Sequence, residues 1–235
     1  MRLISAVAAT LAALSLAARA QGPGPQTDAP ALAKFLALDQ AAPAQHRALR
    51  RFDAGSPRLK SVAWMDVWTE TDAGGFRYQI VAEGGSGYIR SRVFRGTLQI
   101  EERQWASKAP DAAAVTHSNY RFAETATQPD GLVRIAVLPR RKDLLLVDGW
   151  IFLRPEDGDL VRIEGQLSKS PSFWTRGVHI VRHYERIAGV RMPVALDTTS
   201  NVLVAGTSTF RQRWEYESIN GVRVGTPSPR TGAGE

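Results

Sequence analysis

Apolar and polar side chains alternate along most of this chain, the period-two pattern of strands with one wet face. Arg58–Thr71 (RLKSVAWMDVWTET) and Phe76–Ala82 (FRYQIVA) flank Gly74-Gly75 and predict a hairpin. Further strands are predicted at Tyr120–Thr125, Leu132–Leu138, Leu144–Val147, Trp150–Leu153, Leu160–Leu167, Val178–Ile187, Val194–Asp197, Val202–Val204 and Ser208–Ile219. Asp130-Gly131, Asp148-Gly149, Asp157-Gly158 and Asn220-Gly221 punctuate them, and such pairs accept the positive φ of tight hairpin turns. Parallel strands need long crossovers, so these short connections predict an antiparallel meander. In Ser208–Ile219 the residues Phe210, Trp214 and Tyr216 share one face, and Arg211, Arg213, Glu215 and Glu217 share the other.

Two stretches depart from alternation. Leu32, Phe35, Leu36 and Leu38 cluster at helical spacing and Leu49 and Phe52 continue the series, so Ala31–Phe52 predicts two short helical pieces broken near Pro43. After Gly84-Gly85-Ser86-Gly87, the residues Ile89, Val93, Gly96 and Ile100 recur on one helical face. Gly87–Ser107 therefore predicts one long helix, with Ser86 as N-cap and Gly96 close against the sheet. The expected fold is mainly β with helices (α+β). It is a strongly curved antiparallel sheet forming an incomplete barrel around the long helix and the N-terminal helical pair.

The ends read differently. Met1-Arg2, the apolar run Leu3–Ala18 and the small residues of Ala18-Arg19-Ala20 have the form of a secretory signal peptide cut after Ala20. The run, about 16 residues, is shorter than the roughly 20 a membrane span needs. The product is expected to be periplasmic, with no transmembrane span after cleavage. Residues 21–30 predict a flexible leader, 31–225 a single domain, and 226–235 a disordered tail.

Composition narrows the chemistry. A chain of 235 residues with 43% hydrophobic content has enough apolar material for one core, which excludes wholesale disorder. The absence of cysteine excludes a disulfide scaffold, a thiolate metal site, a cysteine nucleophile and the acyl anchor of a lipoprotein. The net charge of +7 comes mostly from scattered arginines, without a recognition motif, so no nucleic-acid partner is expected. His179 and His183 with Glu185 form the most metal-like group. On a strand, however, residues four apart lie about 13 Å apart and cannot share an ion, so no metal is expected. The Gly84–Gly87 turn with Arg90 and Arg92 resembles a phosphate cradle, although it matches no nucleotide-binding spacing. Ser86 is not in a nucleophile elbow and Glu101-Glu102 point to different helix faces, so neither a catalytic set nor a cofactor is expected.

The aromatics carry more information. Trp64, Trp68, Trp150, Phe152, Phe173, Trp174, Phe210, Trp214 and Tyr216 nearly all fall in predicted strands. Either they fill a core or they line an apolar cavity. Trp64, Trp68, Trp150, Phe152, Phe210 and Trp214 are the candidate ligand-binding residues.

The signal-like start, the helical pair, the helix after the first strands and the meander ending in SFWTRGVHIVRHYERIAGVRMPVAL…GTSTFRQRWEYESING resemble the bacterial outer-membrane lipoprotein-sorting proteins (lipoprotein localisation factor-like) and their secreted relatives. The resemblance covers Ala31–Val224 by layout and matches no carrier residue position by position. It implies helices packed into the concave side of an incomplete barrel, and binding of acyl chains there. The expected function is non-enzymatic binding of a lipid or acylated ligand in the envelope, with a helix as movable lid. The alternative is an envelope structural or signalling protein acting through protein–protein contacts.

Overall fold

Every strand pairing is antiparallel, and the pairings join into one 11-stranded sheet of order β3-β2-β1-β10-β9-β8-β7-β6-β5-β4, with β11 added to β10. This computed structural model describes residues 30–38, 42–106, 110–170, 175–203 and 205–230. The strands are β1 His46–Ser56, β2 Ser61–Asp72, β3 Gly75–Gly85, β4 Tyr120–Thr127, β5 Val133–Pro139, β6 Val147–Leu153, β7 Leu160–Leu167, β8 Thr175–Ile187, β9 Val190–Val202, β10 Gly206–Ile219 and β11 Val222–Arg223. The sheet is not closed, and β3 and β4 are its edges. A meander runs from β4 to β10, and β10 then docks onto β1, joining it to the N-terminal β1–β2–β3 meander.

One helix of the expected N-terminal pair is present. α1 (Pro30–Ala37) buries Ala31, Leu32 and Phe35 against the sheet. The second piece is instead the strand β1. Leu49 and Phe52 have helical spacing, but both are fully buried from opposite faces of a strand flanked by β2 and β10. Pairing on both sides overrides the helical propensity of Ala, Leu and Arg.

The long helix spans 87–106 in three consecutive parts: α2 (Gly87–Ile89), a π-helical segment Arg90–Arg95, and α3 (Gly96–Ala106). Ser86 caps it, its hydroxyl accepting from the Ile89 N–H at 3.4 Å. The π segment sets aside the expected face, because each π turn takes up an extra residue. The buried set becomes Ile89, Phe94 and Leu98, while Ile100 turns outward. Gly96 consequently faces open space, with nothing within 4 Å of a Cβ placed there, and does not approach the sheet.

Four of the five expected turns hold: Gly74-Gly75 joins β2 to β3 and Asp130-Gly131 joins β4 to β5, with positive φ at Gly75 and Gly131 (113° and 84°). Asn220 and Gly221 both have positive φ (49° and 80°), as a tight hairpin turn requires. Gly158 (φ 75°) closes the β6–β7 connection, donating to the Arg154 carbonyl at 2.8 Å. Asp148-Gly149 does not turn and lies inside β6. The breaks expected within Val194–Val204 are likewise absent, since β9 runs unbroken from Val190 to Val202. Residues 226–230 of the expected disordered tail lie against the sheet: the Ser228 carbonyl accepts from Arg51 at 2.8 Å, and Arg230 pairs with Asp53 at 2.9 Å.

Both helices cover the same face. One apolar cluster joins α1 to Ile135, Val147, Ile151, Leu153 and Ile163, and a second joins the long helix to Phe52, Ala63, Met65, Val67 and Phe76. Cross-strand partners share a face, and the register Ile135–Ile151–Ile163–Arg182–Leu196–Gln212–Phe52–Met65 traces that helix face across eight strands.

Candidate functional site

The same register divides the candidate aromatics. Phe210 and Trp214 alternate with exposed Arg211 and Arg213 on β10 and lie on the helix face. Phe210 packs edge-on to Phe52 with centroids 5.7 Å apart and lies 5.9 Å from Phe94 of the long helix. The Trp214 ring lies beneath the Arg50 guanidinium at 5.0 Å. Tyr216 follows on the same face, its hydroxyl donating to the Pro193 carbonyl at 2.7 Å; burial pushes its pKa up.

Trp64, Trp68, Trp150 and Phe152 occupy the opposite face and do not join Phe210 and Trp214 in one site. Each lies beneath an arginine: Trp64 under Arg230 (5.2 Å), Trp68 under Arg47 (4.5 Å), Trp150 under Arg134 (4.1 Å) and Phe152 under Arg162 (3.8 Å). Alternation assigns parity along a strand, but it does not tell which parity faces the helices. Residues 171–174, with Phe173 and Trp174, lie outside the described residues.

Between the two apolar clusters the helix face turns polar. Arg50 is only 2% exposed. Its guanidinium donates to both Glu101 carboxylate oxygens, one at 2.8 Å, and to Gln212 Oε1. Arg182 stands on the register between Ile163 and Leu196. The Nε atoms of Arg50 and Arg182 are buried without hydrogen-bond partners. His46, bonded to the Thr71 hydroxyl, sits at the end of this row, and burial aided by Arg50 lowers its pKa from 6.5 to about 4. No sequence pattern announced this cluster, because Arg50, Glu101, Arg182 and Gln212 come from four distant segments.

The remaining motifs resolve structurally. Glycine is required at Gly85, where φ is 78° and a Cβ would stand 2.3 Å from the Val62 carbonyl oxygen. Glu83 already lies between Arg90 (2.8 Å) and Arg95 (2.9 Å), so an internal carboxylate occupies the cationic part of the anion cradle. The hydrogen bond from Arg95 leads in lowering the Glu83 pKa. His179 pairs across strands with Gln166 and Thr199, and His183 with Arg162 and Ala195. Among the described residues no three His, Asp or Glu side chains converge on a point.

Among the described residues, two shallow depressions stand out. One of about 540 Å³ lies between Ala44, Gln45, the Asp72–Gly74 turn and Asn220. The other, about 360 Å³, lies between Pro30, the end of β4, Val133 and Pro155. Neither touches the Arg50–Arg182 cluster.

No family model matches the chain, and no curated protein matches it. Among solved structures it is similar to a DUF1329 family protein from Desulfovibrio piger, at 9% identity over 79% of this chain and 88% of that one, with a TM-score of 0.33. That is a distant structural neighbour, and no functional argument follows from it.

Proposed function

We propose that this is an exported, non-enzymatic binding protein that takes a lipid or acylated ligand against the helix face of its sheet, in the bacterial envelope. The observation that carries this reading is the composition of that face across β8–β10 and β1: half-buried Phe210 and Trp214 beside the buried Arg50 and the half-buried Arg182, whose Nε is enclosed. An acyl chain along the aromatics would gain about 0.8 kcal/mol per buried methylene, and an acidic head would find hydrogen-bond donors at the guanidiniums. The long helix supplies the lid. Its residues 102–106 are exposed, and Glu101 ties that half down to Arg50. The signal-like N-terminus supports export.

Titration with a fluorescent fatty acid tests the reading. Binding should saturate and quench tryptophan emission. Arg182→Met should weaken the acid more than its methyl ester, and Phe210→Ser should weaken both in a chain that still melts cooperatively. Absence of saturable binding for fatty acid and lysolipid alike would overturn it in favour of an envelope protein that works through protein–protein contacts.

A further inference from the structure

The strand register sorts the loops into two rims of different character. One rim holds the β1–β2 turn, the β3-to-helix junction, the β9–β10 turn and the β5–β6 loop; the other holds the β2–β3, β4–β5, β6–β7 and β8–β9 turns. The second rim is mixed in charge: Asp72, Asp130, Glu156, Asp157 and Asp159 lie in its turns, but Asp72 pairs with Arg77, Asp157 with Arg154, and Asp159 with Arg186 and Arg191.

The first rim is basic and apolar. Four large hydrophobic side chains stand out from it: Tyr88 at 73% exposure, Val62 at 70%, Leu59 at 52% and Leu203 at 44%. They come from three adjoining loops. The Ser56 hydroxyl donates to the Ala205 carbonyl at 2.8 Å, tying the β1–β2 turn to the β9–β10 turn. The Ser86 N–H donates to the Val62 carbonyl at 2.8 Å, tying the helix start to β2. Arg58, Lys60 and Arg92 are interleaved with these side chains, are exposed, and make no ion pair among the described residues. No acidic residue occurs at 57–62, 86–92 or 203–206. Farther along the same rim, the β5–β6 loop exposes Lys142 and Leu144 near Lys169, with Asp143 between them paired to Arg141.

We infer that this rim is a membrane-docking surface, and that its partner is an anionic phospholipid bilayer. Exposed apolar side chains separated by unpaired cations match an interface in which chains enter the acyl boundary and ammonium and guanidinium groups meet lipid phosphates. Tyr88 suits that depth, with an apolar ring and a polar tip. Charge complementarity selects the bilayer over a second copy, because two basic rims would repel and Asp72, Asp157 and Asp159 of the opposite rim are already paired with arginines. With this rim on the bilayer, the strands run away from the membrane. This surface is separate from the helix-face cluster, and acyl-ligand binding neither requires it nor follows from it.

Co-sedimentation of the exported chain with vesicles tests the proposal, using pure phosphatidylcholine and a mixture with phosphatidylglycerol. Binding should be confined to the anionic vesicles and should weaken with salt. Each cation removed should lower the partition coefficient roughly fivefold, so Arg58→Glu with Lys60→Glu should lower it by more than tenfold. Leu59→Ser with Tyr88→Ser should weaken binding while leaving its salt dependence intact. Arg154→Glu with Arg223→Glu makes the same change in net charge away from the docking rim and should leave binding within about twofold. All variants share one N-terminus, so differences between them report the rim. Equal binding to both vesicle types, no binding to either, or an equal loss in the Arg154/Arg223 variant would each overturn the inference. So would self-association without lipid that disappears in the Leu59/Tyr88 variant, which would assign the rim to a second copy. Fatty-acid titration of the same variants separates this outcome from failure of the binding site.

Discussion

Gly149 on β6 and Gly165 on β7 sit directly opposite each other, each filling the space a side chain on the other would need. A Cβ on Gly149 would stand 2.6 Å from the Gly165 Cα, and one on Gly165 would stand 2.7 Å from the Gly149 Cα. The neighbouring carbonyl oxygens are closer still, at 2.2 and 2.3 Å. Gly149→Ala and Gly165→Ala should each destabilise the fold by about 1–3 kcal/mol, as overpacking does. Gly96→Ala should behave in the opposite way: it removes a helix-interior glycine in open space and should gain up to about 1 kcal/mol. Gly96→Leu should also be tolerated. Urea unfolding at constant m-value compares them, and a Gly149→Ala chain as stable as the parent would show that β6 and β7 separate without penalty.

That glycine pair also marks where the sequence was legible and where it was not. Asp-Gly is a strong local turn signal, and at Asp157-Gly158 it told the truth. At Asp148-Gly149 the glycine is needed for a cross-strand approach, a reason that depends on Gly165 and is invisible within any short window. The same contrast recurs in β1, where helical spacing of Leu49 and Phe52 lost to pairing with two distant strands. It recurs in the long helix, whose extent was legible but whose π segment moved the buried face off Gly96 and Ile100. The strands β2 to β5, β7, β8 and β10 were readable because alternation is a local property, whereas β6 and β9 were expected as broken pieces. Of the six candidate aromatics, Phe210 and Trp214 share the helix face, whereas Trp64, Trp68, Trp150 and Phe152 follow the same alternation outward. The polar cluster around Arg50 was not readable, because its members meet only once β10 pairs with β1.

His46 makes stability depend on pH. Burial, then the nearby Arg50 charge, lowers its folded pKa to about 4 from 6.5, so the unfolded chain binds this proton more readily than the folded one. Stability rises with pH wherever the unfolded state holds more protons. This contribution is complete above about 6.5 and is lost as pH falls towards 4. Unfolding free energies measured between pH 7 and about 5 should therefore decline. His46→Gln should flatten the slope in that window; an unchanged slope would place the titration elsewhere.

Arg50 and Glu101 form the ion pair that joins β1 to the long helix. The arginine side chain is almost wholly enclosed and the carboxylate is partly exposed, so removing the carboxylate strands a buried charge. Glu101→Ala should cost about 1–3 kcal/mol, with Gln212 retaining one of the guanidinium bonds. Arg50→Met with Glu101→Ala should recover part of that loss, because replacing both partners of a buried pair by apolar groups is often close to neutral. A double-mutant cycle reads the coupling directly, and strictly additive losses would show that the pair does not hold the helix. Hydrogen exchange in 99–106 should accelerate in Glu101→Ala while exchange in β6 and β7 stays unchanged.

The C-terminal segment acts as a strap over a buried carboxylate. Asp66 alternates outward on β2, on the face away from both helices, yet is 0% exposed because residues 226–230 lie over it. The Arg230 N–H donates to one Asp66 oxygen at 2.6 Å, and the Arg230 side chain reaches the other at 3.1 Å. Arg51 stands 3.5 Å away and also donates to the Ser228 carbonyl, so one arginine supports both the strap and the acid beneath it. The same Arg230 guanidinium makes two 2.9 Å bonds to Asp53. Truncation after Gly225 should destabilise the fold by about 1–3 kcal/mol, since it removes the donors that satisfy a desolvated carboxylate. The sharper test is the response to Asp66→Asn. In the full chain this change weakens the bond from the Arg230 N–H and removes the ion pairs with the Arg230 and Arg51 guanidiniums, and should destabilise. In the truncated chain those Arg230 bonds are already gone, the charge has lost its main partner, and the same change should be neutral or stabilising. Thermal melts of the four chains give the answer: a reversal of sign shows that the strap exists to hold Asp66, and equal losses in both backgrounds would show that Arg51 alone is enough.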